Sequence, residues 1–290
     1  MSWLIFALLT ALLTAGSALI QKKTLLKAHA MEFSATLAVV NLLVSLPFLL
    51  VIDYSAIHFE ALVILFFGAI LGSVAFLLVA KSTRHMELST SSPLLVIGPG
   101  ITALFAFIFL GEALTGLQIG GISLLIVGSY VLETKRHHDL FEPIRQFKKS
   151  KYIHYILLAL LFYAVCSLVD RYIMVRYEMD PLAYIVFVHI FLSIHFIIMM
   201  TLFHDGLKGV KTGLKTYGWW ILLVSVFTVA YRLSQIVAVS MAYVGLVVAI
   251  KRMAALFVTI IGGELFHEKN LFRKAVACLI MVAGAFLIVI

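Results

Sequence analysis

Apolar residues run through this chain in ten stretches, with short polar loops between them. The stretches cover about 3–20, 33–52, 61–80, 88–110, 116–132, 152–175, 182–203, 217–241, 244–262 and 271–290. Each is about 17–25 residues long, enough to cross ~30 Å of hydrocarbon at ~1.5 Å per residue. Backbone in lipid must satisfy its own hydrogen bonds, so the stretches read as helices. A barrel would need ~10-residue alternating strands, and no such alternation appears. The first stretch lacks the charged start of a signal peptide, and further spans follow it. One long polar stretch, Thr134 to Lys151, is broken by Pro143 and separates five stretches from five. The pattern therefore predicts an all-α integral membrane protein: ten transmembrane helices arranged as two five-helix units, 1–133 and 152–290, joined by a linker at 134–151.

Composition agrees with the pattern. Apolar residues are 63% of the 290 positions and charged residues 12%, where a soluble domain carries about 25% charged. The net charge of +8 comes mainly from loops. Those after helices 1, 3, 5, 7 and 9 hold Lys22, Lys23, Lys27, Lys81, Arg84, six linker residues (Lys135, Arg136, Arg145, Lys148, Lys149, Lys151), Lys208, Lys211, Lys215, Lys269, Arg273 and Lys274, which is 17 of the 22 Lys and Arg. The other loops hold Arg171 and Arg176. The positive-inside rule puts the odd-numbered loops in the cytoplasm and both termini outside. The basic linker reads as solvated and held near anionic headgroups, with no nucleic-acid partner. Cys166 and Cys278 both fall inside spans and read as free buried thiols.

The two halves align with each other. Gln21-Lys22 and Lys27 match Asp170-Arg171 and Arg176, and Gly111-Glu112 matches Gly263-Glu264. Five helices per half is an odd number, so the copies would lie inverted in the bilayer. The first half carries Leu88-Ser89, Pro93-Leu94-Leu95, Pro99 and Leu110-Gly111-Glu112, then Gln118, Gly121 and Gly128. The second carries Ala242-Tyr243-Val244, Ile250-Lys251-Arg252, Gly263-Glu264 and Gly284. With these motifs the chain resembles the drug/metabolite transporter superfamily, EamA type. The resemblance implies a ten-helix fold in the plasma membrane of a bacterium or archaeon, a small polar metabolite as substrate, and export more often than import. It also implies termini in the cytoplasm, against the loop charges. The second half departs from the pattern in lacking prolines opposite Pro93 and Pro99.

Ionisable side chains inside a bilayer are candidate functional groups. Arg232 precedes Tyr243 by eleven residues and Lys251 follows it by eight. A turn near Tyr243 would bring both to comparable depth in adjacent helices. Asp170 is the one acid clearly within a span and a candidate counter-ion or titrating group. Two readings stand side by side. One is a structural ion pair of Asp170 with Arg232 or Lys251. The other is a cationic pocket in which Arg232 and Lys251 hold a carboxylate or phosphate of the substrate, a task suited to the planar guanidinium. Gln235 shares a helix face with Arg232 and could bond substrate or bridge helices. Arg252 points about 100° away from Lys251 and, like Arg171, could snorkel to headgroups. Ser89, Ser91, Ser92 and Pro93 could loosen helix 4 and free carbonyls to line a cavity, with a simple proline kink as the alternative. Tyr231, Tyr243, Tyr163 and Trp219 read as packing or belt aromatics. Glu112 and Glu264 read as caps of the following helix or as turn formers, with proton coupling as the alternative. The Gly68-x-x-x-Gly72 and Gly116-x-x-x-Gly120 pairs read as internal packing signals, with a dimer face as the alternative.

The spacing of His189 and His195, six residues, puts them on different faces and predicts no shared metal. No His/Cys cluster, phosphate-binding glycine loop or nucleophile motif appears, so neither a cofactor nor an enzymatic reaction is expected. The leading expectation is a secondary transporter working by alternating access, coupled to protons or a counter-substrate, as a monomer or homodimer. A flippase for a lipid-linked anionic headgroup uses the same features. A lipid-modifying enzyme would need paired acids or a metal cluster at one depth, and a pore would show a ring of repeated polar groups.

Overall fold

The computed structural model of the chain describes residues 2–25, 29–85, 94–133, 150–258 and 271–290, and every regular element among them is helical. Ten α-helices lie wholly among the described residues: α1 (Ser2–Leu25), α2 (Ala30–Ser45), α3 (Phe59–His85), α4 (Gly98–Leu110), α5 (Gly116–Glu133), α6 (Lys151–Arg176), α7 (Pro181–Phe203), α8 (Leu207–Met241), α9 (Val244–Lys251) and α10 (Leu271–Val289). Six of these stretches are long and apolar enough to cross a membrane, counting the 3-10 continuation of α2 to Leu50, and α4, α5 and α10 contain shorter apolar helices. The exposed surface is rich in Ile5, Phe67, Phe107, Phe109, Leu279 and Phe286, as lipid contact demands and water would not permit on this scale. The all-helical, multi-pass membrane class expected from the pattern is therefore present.

Three elements differ from the expected spans. The eighth begins at Leu207, not near 217, so a lysine-bearing segment is part of the helix. The polar residues there include three lysines, good helix formers that hydropathy discounts. Among the described residues the fourth span is interrupted at Val96–Ile97, between helical Leu94–Leu95 and the α-helix Gly98–Leu110. Pro99 has no N–H and its ring crowds the carbonyl four residues back, so an unbroken helix cannot pass through it. The ninth likewise stops at Lys251 and turns at Arg252–Met253 before helical residues resume. There the bonds tighten to i+3, Arg252 N to Ala249 O at 3.0 Å and Met253 N to Ile250 O at 2.9 Å, without any proline.

Packing is close where small residues meet. α5 and α10 run antiparallel in contact, with a Cβ on Gly121 placed 2.6 Å from the Gly284 carbonyl and one on Gly284 placed 2.7 Å from the Gly121 carbonyl. α3 lies on α6 through Gly68 against Val169 and Gly72 against Cys166. α1 lies on α8, where the Ser17 and Thr228 hydroxyls share a hydrogen bond of 3.3 Å. α2 joins α7 through Ser193 Oγ, which donates to the Ala38 carbonyl at 2.7 Å. Gly116 and Gly120, expected to pack internally, have open space where a side chain would stand. α5 turns its Gly121–Gly128 face to α10, and that leaves the Gly116–Gly120 face outward.

Candidate functional site

Asp170 sits two turns before the end of α6 and is 3% exposed. A carboxylate at that depth must be paired. Tyr184, in the first turn of α7 and itself buried, donates its hydroxyl to Asp170 Oδ1. The α7 start is fixed by Asp180, whose side chain accepts from Leu182 N at 3.2 Å, and by Pro181 at the first helical position. From α8, Arg232 Nη1 lies 3.7 Å from Asp170 Oδ2. Three helices thus converge on one carboxylate.

Lys251 closes α9. Its Nζ donates to Gln235 Oε1 of α8 at 2.7 Å and stands 4.7 Å from the centre of the Tyr231 ring. Tyr231 is therefore a cation–π partner, beyond the packing role expected for it. Gln235 bridges α8 and α9. Arg252 does not snorkel to headgroups: a Cβ on Gly98 would come within 3.0 Å of its Nη2, so the guanidinium lies at the start of α4. Lys251 is in electrostatic range of Arg232, Arg252 and Asp170, and Tyr163 of α6 is in range of Arg232 and Arg252. The expected turn between α8 and α9 falls at Ala242–Tyr243, which brings Arg232 and Lys251 into one cluster. Its described members carry three cations, Arg232, Lys251 and Arg252, and one carboxylate, Asp170. Such a cluster can bind an anionic group by charge-assisted hydrogen bonds.

Arg171, next to Asp170 in sequence, belongs elsewhere. Its Nε donates to Glu112 Oε1 at 2.9 Å, and its Nη1 donates to the carbonyls of Val239 at 2.6 Å and Ser240 at 3.2 Å. It is an internal clamp and not a snorkelling side chain. Glu112, which the sequence offers as a cap of the following helix or a turn former, does not cap α5. It caps α9 instead: Oε2 accepts from Val244 N at 2.9 Å. α5 is capped by its own box, with Gln118 N donating to Thr115 Oγ1 at 3.2 Å and Thr115 N to Gln118 Oε1 at 3.0 Å. Gly111 explains the Gly-Glu pair. It ends α4 at φ +68°, a left-handed conformation that favours glycine. Glu112 N then bonds back to Ala106 O at 3.2 Å, and the carboxylate is turned into the bundle.

His189 is buried, with Arg232 in electrostatic range, while the His195 ring meets Phe66 at 4.8 Å. The two occupy different faces, as their spacing predicts. Ser89, Pro93 and Glu264 lie outside the described residues. Sequence reasoning missed Tyr184 as a partner of Asp170. It also missed the Thr115–Gln118 cap, which the T-x-x-Q spacing would have revealed.

Comparison with known proteins adds family and fold. Residues 1–134 match the model of the EamA-like transporter family. No curated protein sequence matches the chain. Twenty-nine (29) chains of solved structures do. One, titled only "Crystal structure of protein", has a TM-score of 0.75 at 14% identity, over 99% of this chain and 96% of that one. At that identity the likeness is one of fold.

Proposed function

We propose that this chain, whose residues 1–134 match the model of the EamA-like transporter family, is a secondary transporter for a small polar metabolite bearing a carboxylate or phosphate. It works by alternating access between inverted five-helix halves, residues 1–133 and 152–290, and exports its substrate across a prokaryotic plasma membrane. The observation that carries the substrate class is the meeting of Arg232 from α8 and Lys251 from the end of α9 beside Asp170, at the place where the interrupted helices α4 and α9 abut.

The packing order supports the repeat. If helix n of the first half corresponds to helix n+5 of the second, α1 on α8 answers α6 on α3, α2 on α8 answers α7 on α3, and α4 on α6 answers α9 on α1. The pairs α2–α7, α4–α9 and α5–α10 answer themselves. α4 and α9 are the broken pair, and interrupted helices in corresponding positions of two halves mark transporter binding sites. Gly245 of α9 lies against Ala103 of α4, where an added Cβ would stand 3.0 Å from the Ala103 Cα.

The test is a thermal-stability screen of purified protein against anionic, neutral and cationic metabolites at millimolar concentration, with Arg232→Ala and Lys251→Ala alongside. A ligand specific to the folded state stabilises it by RT ln(1 + [L]/Kd). The expected result is a shift by anionic compounds that both variants lose, each compared with its own ligand-free melting point. Stabilisation of all three proteins by neutral or cationic compounds would overturn the anionic assignment. Stabilisation by lipid-linked headgroups alone would favour a flippase.

A further inference from the structure

The corner between α7 and α8 joins a fixed line of lysines to a collar of exposed apolar side chains. At ~100° per residue, Lys208, Lys211 and Lys215 fall within about 60° of the α8 circumference. All three are exposed. Trp219, Leu222 and Val226, also exposed, continue along the same line toward the middle of the helix. Ammonium, indole and aliphatic groups thus follow one another down a single face, the order in which a bilayer presents headgroups, interface and hydrocarbon. Beside the lysines stand Leu207 and Leu214, and at the end of α7 stand Leu202 and Phe203, 69% and 74% exposed. Water does not favour such a group, whereas the acyl boundary does.

The lysines are held in place by the opposite face of the segment. Val210 is buried, and Gly213 packs against Thr36 of α2 so closely that a Cβ there would collide with its side chain. The first turn of α8 has no side-chain cap at Gly206, and Gly209 N bonds back to the Gly206 carbonyl at 3.2 Å. A recess of about 730 Å³ opens there, lined by Thr201, Asp205, Gly206, Lys208 and Thr212 among others. Its carboxylate, Asp205, lies 3.1 Å from His204 Nδ1.

We propose that this corner binds the headgroup of an anionic phospholipid, with Lys208, Lys211 and Lys215 on the phosphate and Leu207, Leu214 and Trp219 against the upper acyl chain. A soluble anion has no use for the apolar collar, and an acidic protein would have to displace lipid from it.

Trp219 stands on the lysine face and reports on the site. In phosphatidylcholine bilayers, brominated phosphatidylglycerol should quench tryptophan fluorescence at a lower mole fraction than brominated phosphatidylcholine does. A basic residue near a charged bilayer is worth about fivefold in binding, so the triple variant Lys208→Gln/Lys211→Gln/Lys215→Gln should lose at least about tenfold of that preference. The triple arginine variant should keep it. Equal quenching by the two lipids, or an undiminished preference in the glutamine variant, overturns the proposal. So does displacement of the brominated lipid by soluble glycerol phosphate, which would identify a free-anion site.

Discussion

Asp170 illustrates how a single buried carboxylate organises its neighbours. It accepts from Tyr184 and lies against Arg232, so its removal leaves a largely buried guanidinium without its counter-charge. Breaking a buried pair from one side costs about 3–5 kcal/mol. Arg232 keeps 22% of its side-chain surface exposed, so the lower end applies, about 3 kcal/mol for Asp170→Ala. Tyr184→Phe removes one hydrogen bond and should cost about 1–2 kcal/mol. Denaturant titration of the two variants in detergent checks both, and equal costs would deny Arg232 a role as partner. The charged members of this cluster were legible in the sequence, because an ionisable residue in an apolar run has no bland place to go. Tyr184 was not, since a tyrosine near a helix end also suits an interface belt. Nor was the partner of Arg171: Glu112 is 59 positions away, and only the fold brings them together.

Helix boundaries followed the same division between local and long-range causes. Uninterrupted apolar runs marked the helices well, but they did not reveal the break before α4: the sequence suggests loosening at Ser89–Pro93, and Pro99 enters only as a family motif. The turn after Lys251 carries no proline mark. The early start of α8 was hidden because hydropathy discounts lysines that the helix itself tolerates. Glycine pairs were the least legible, since a GxxxG spacing shows that two backbones could meet but not which face does. The contacts give a sharp contrast. Gly121→Ala or Gly284→Ala forces a methyl onto the facing carbonyl and should destabilise by about 1–3 kcal/mol. Gly116→Ala and Gly120→Ala meet open space and should be neutral or slightly stabilising, by up to about 1 kcal/mol. Melting points of the four proteins test this directly. The Glu112–Arg171 clamp joins the α4–α5 turn, α6 and the α8–α9 turn, so its residues act together. Glu112→Gln and Arg171→Ala combined should fall short of the sum of the single effects by about 0.5–3 kcal/mol in a double-mutant cycle.

The two ends of the bundle differ in chemistry, and that difference bears on orientation. One end gathers the α1–α2 and α7–α8 corners, where the His29 and His204 rings meet at 4.7 Å, and the junction of α3 with α6, where His85 stacks on Tyr152 at 4.8 Å. The lysines of α8 belong to this end. The opposite end holds the Asp53–Ser55 turn and the α6–α7 corner, joined where His58 meets Tyr177 at 5.6 Å. Asp53 there accepts from the Ser55 hydroxyl and N–H, which hold its carboxyl below the usual range. Basic loops stay on the cytoplasmic side during insertion, and the cytoplasmic leaflet is the anionic one. On these two grounds we propose that the lysine end lies inside and the termini outside, against the orientation implied by the family resemblance. Single cysteines in a Cys166→Ser/Cys278→Ser background decide between them. Ser55→Cys and Glu178→Cys should react with an impermeant thiol reagent in intact cells, and Thr212→Cys only after permeabilisation. The reverse pattern would put the lysine end outside. The charge bias would then have been overridden during insertion, and the phospholipid bound at the α7–α8 corner would have to come from the outer leaflet.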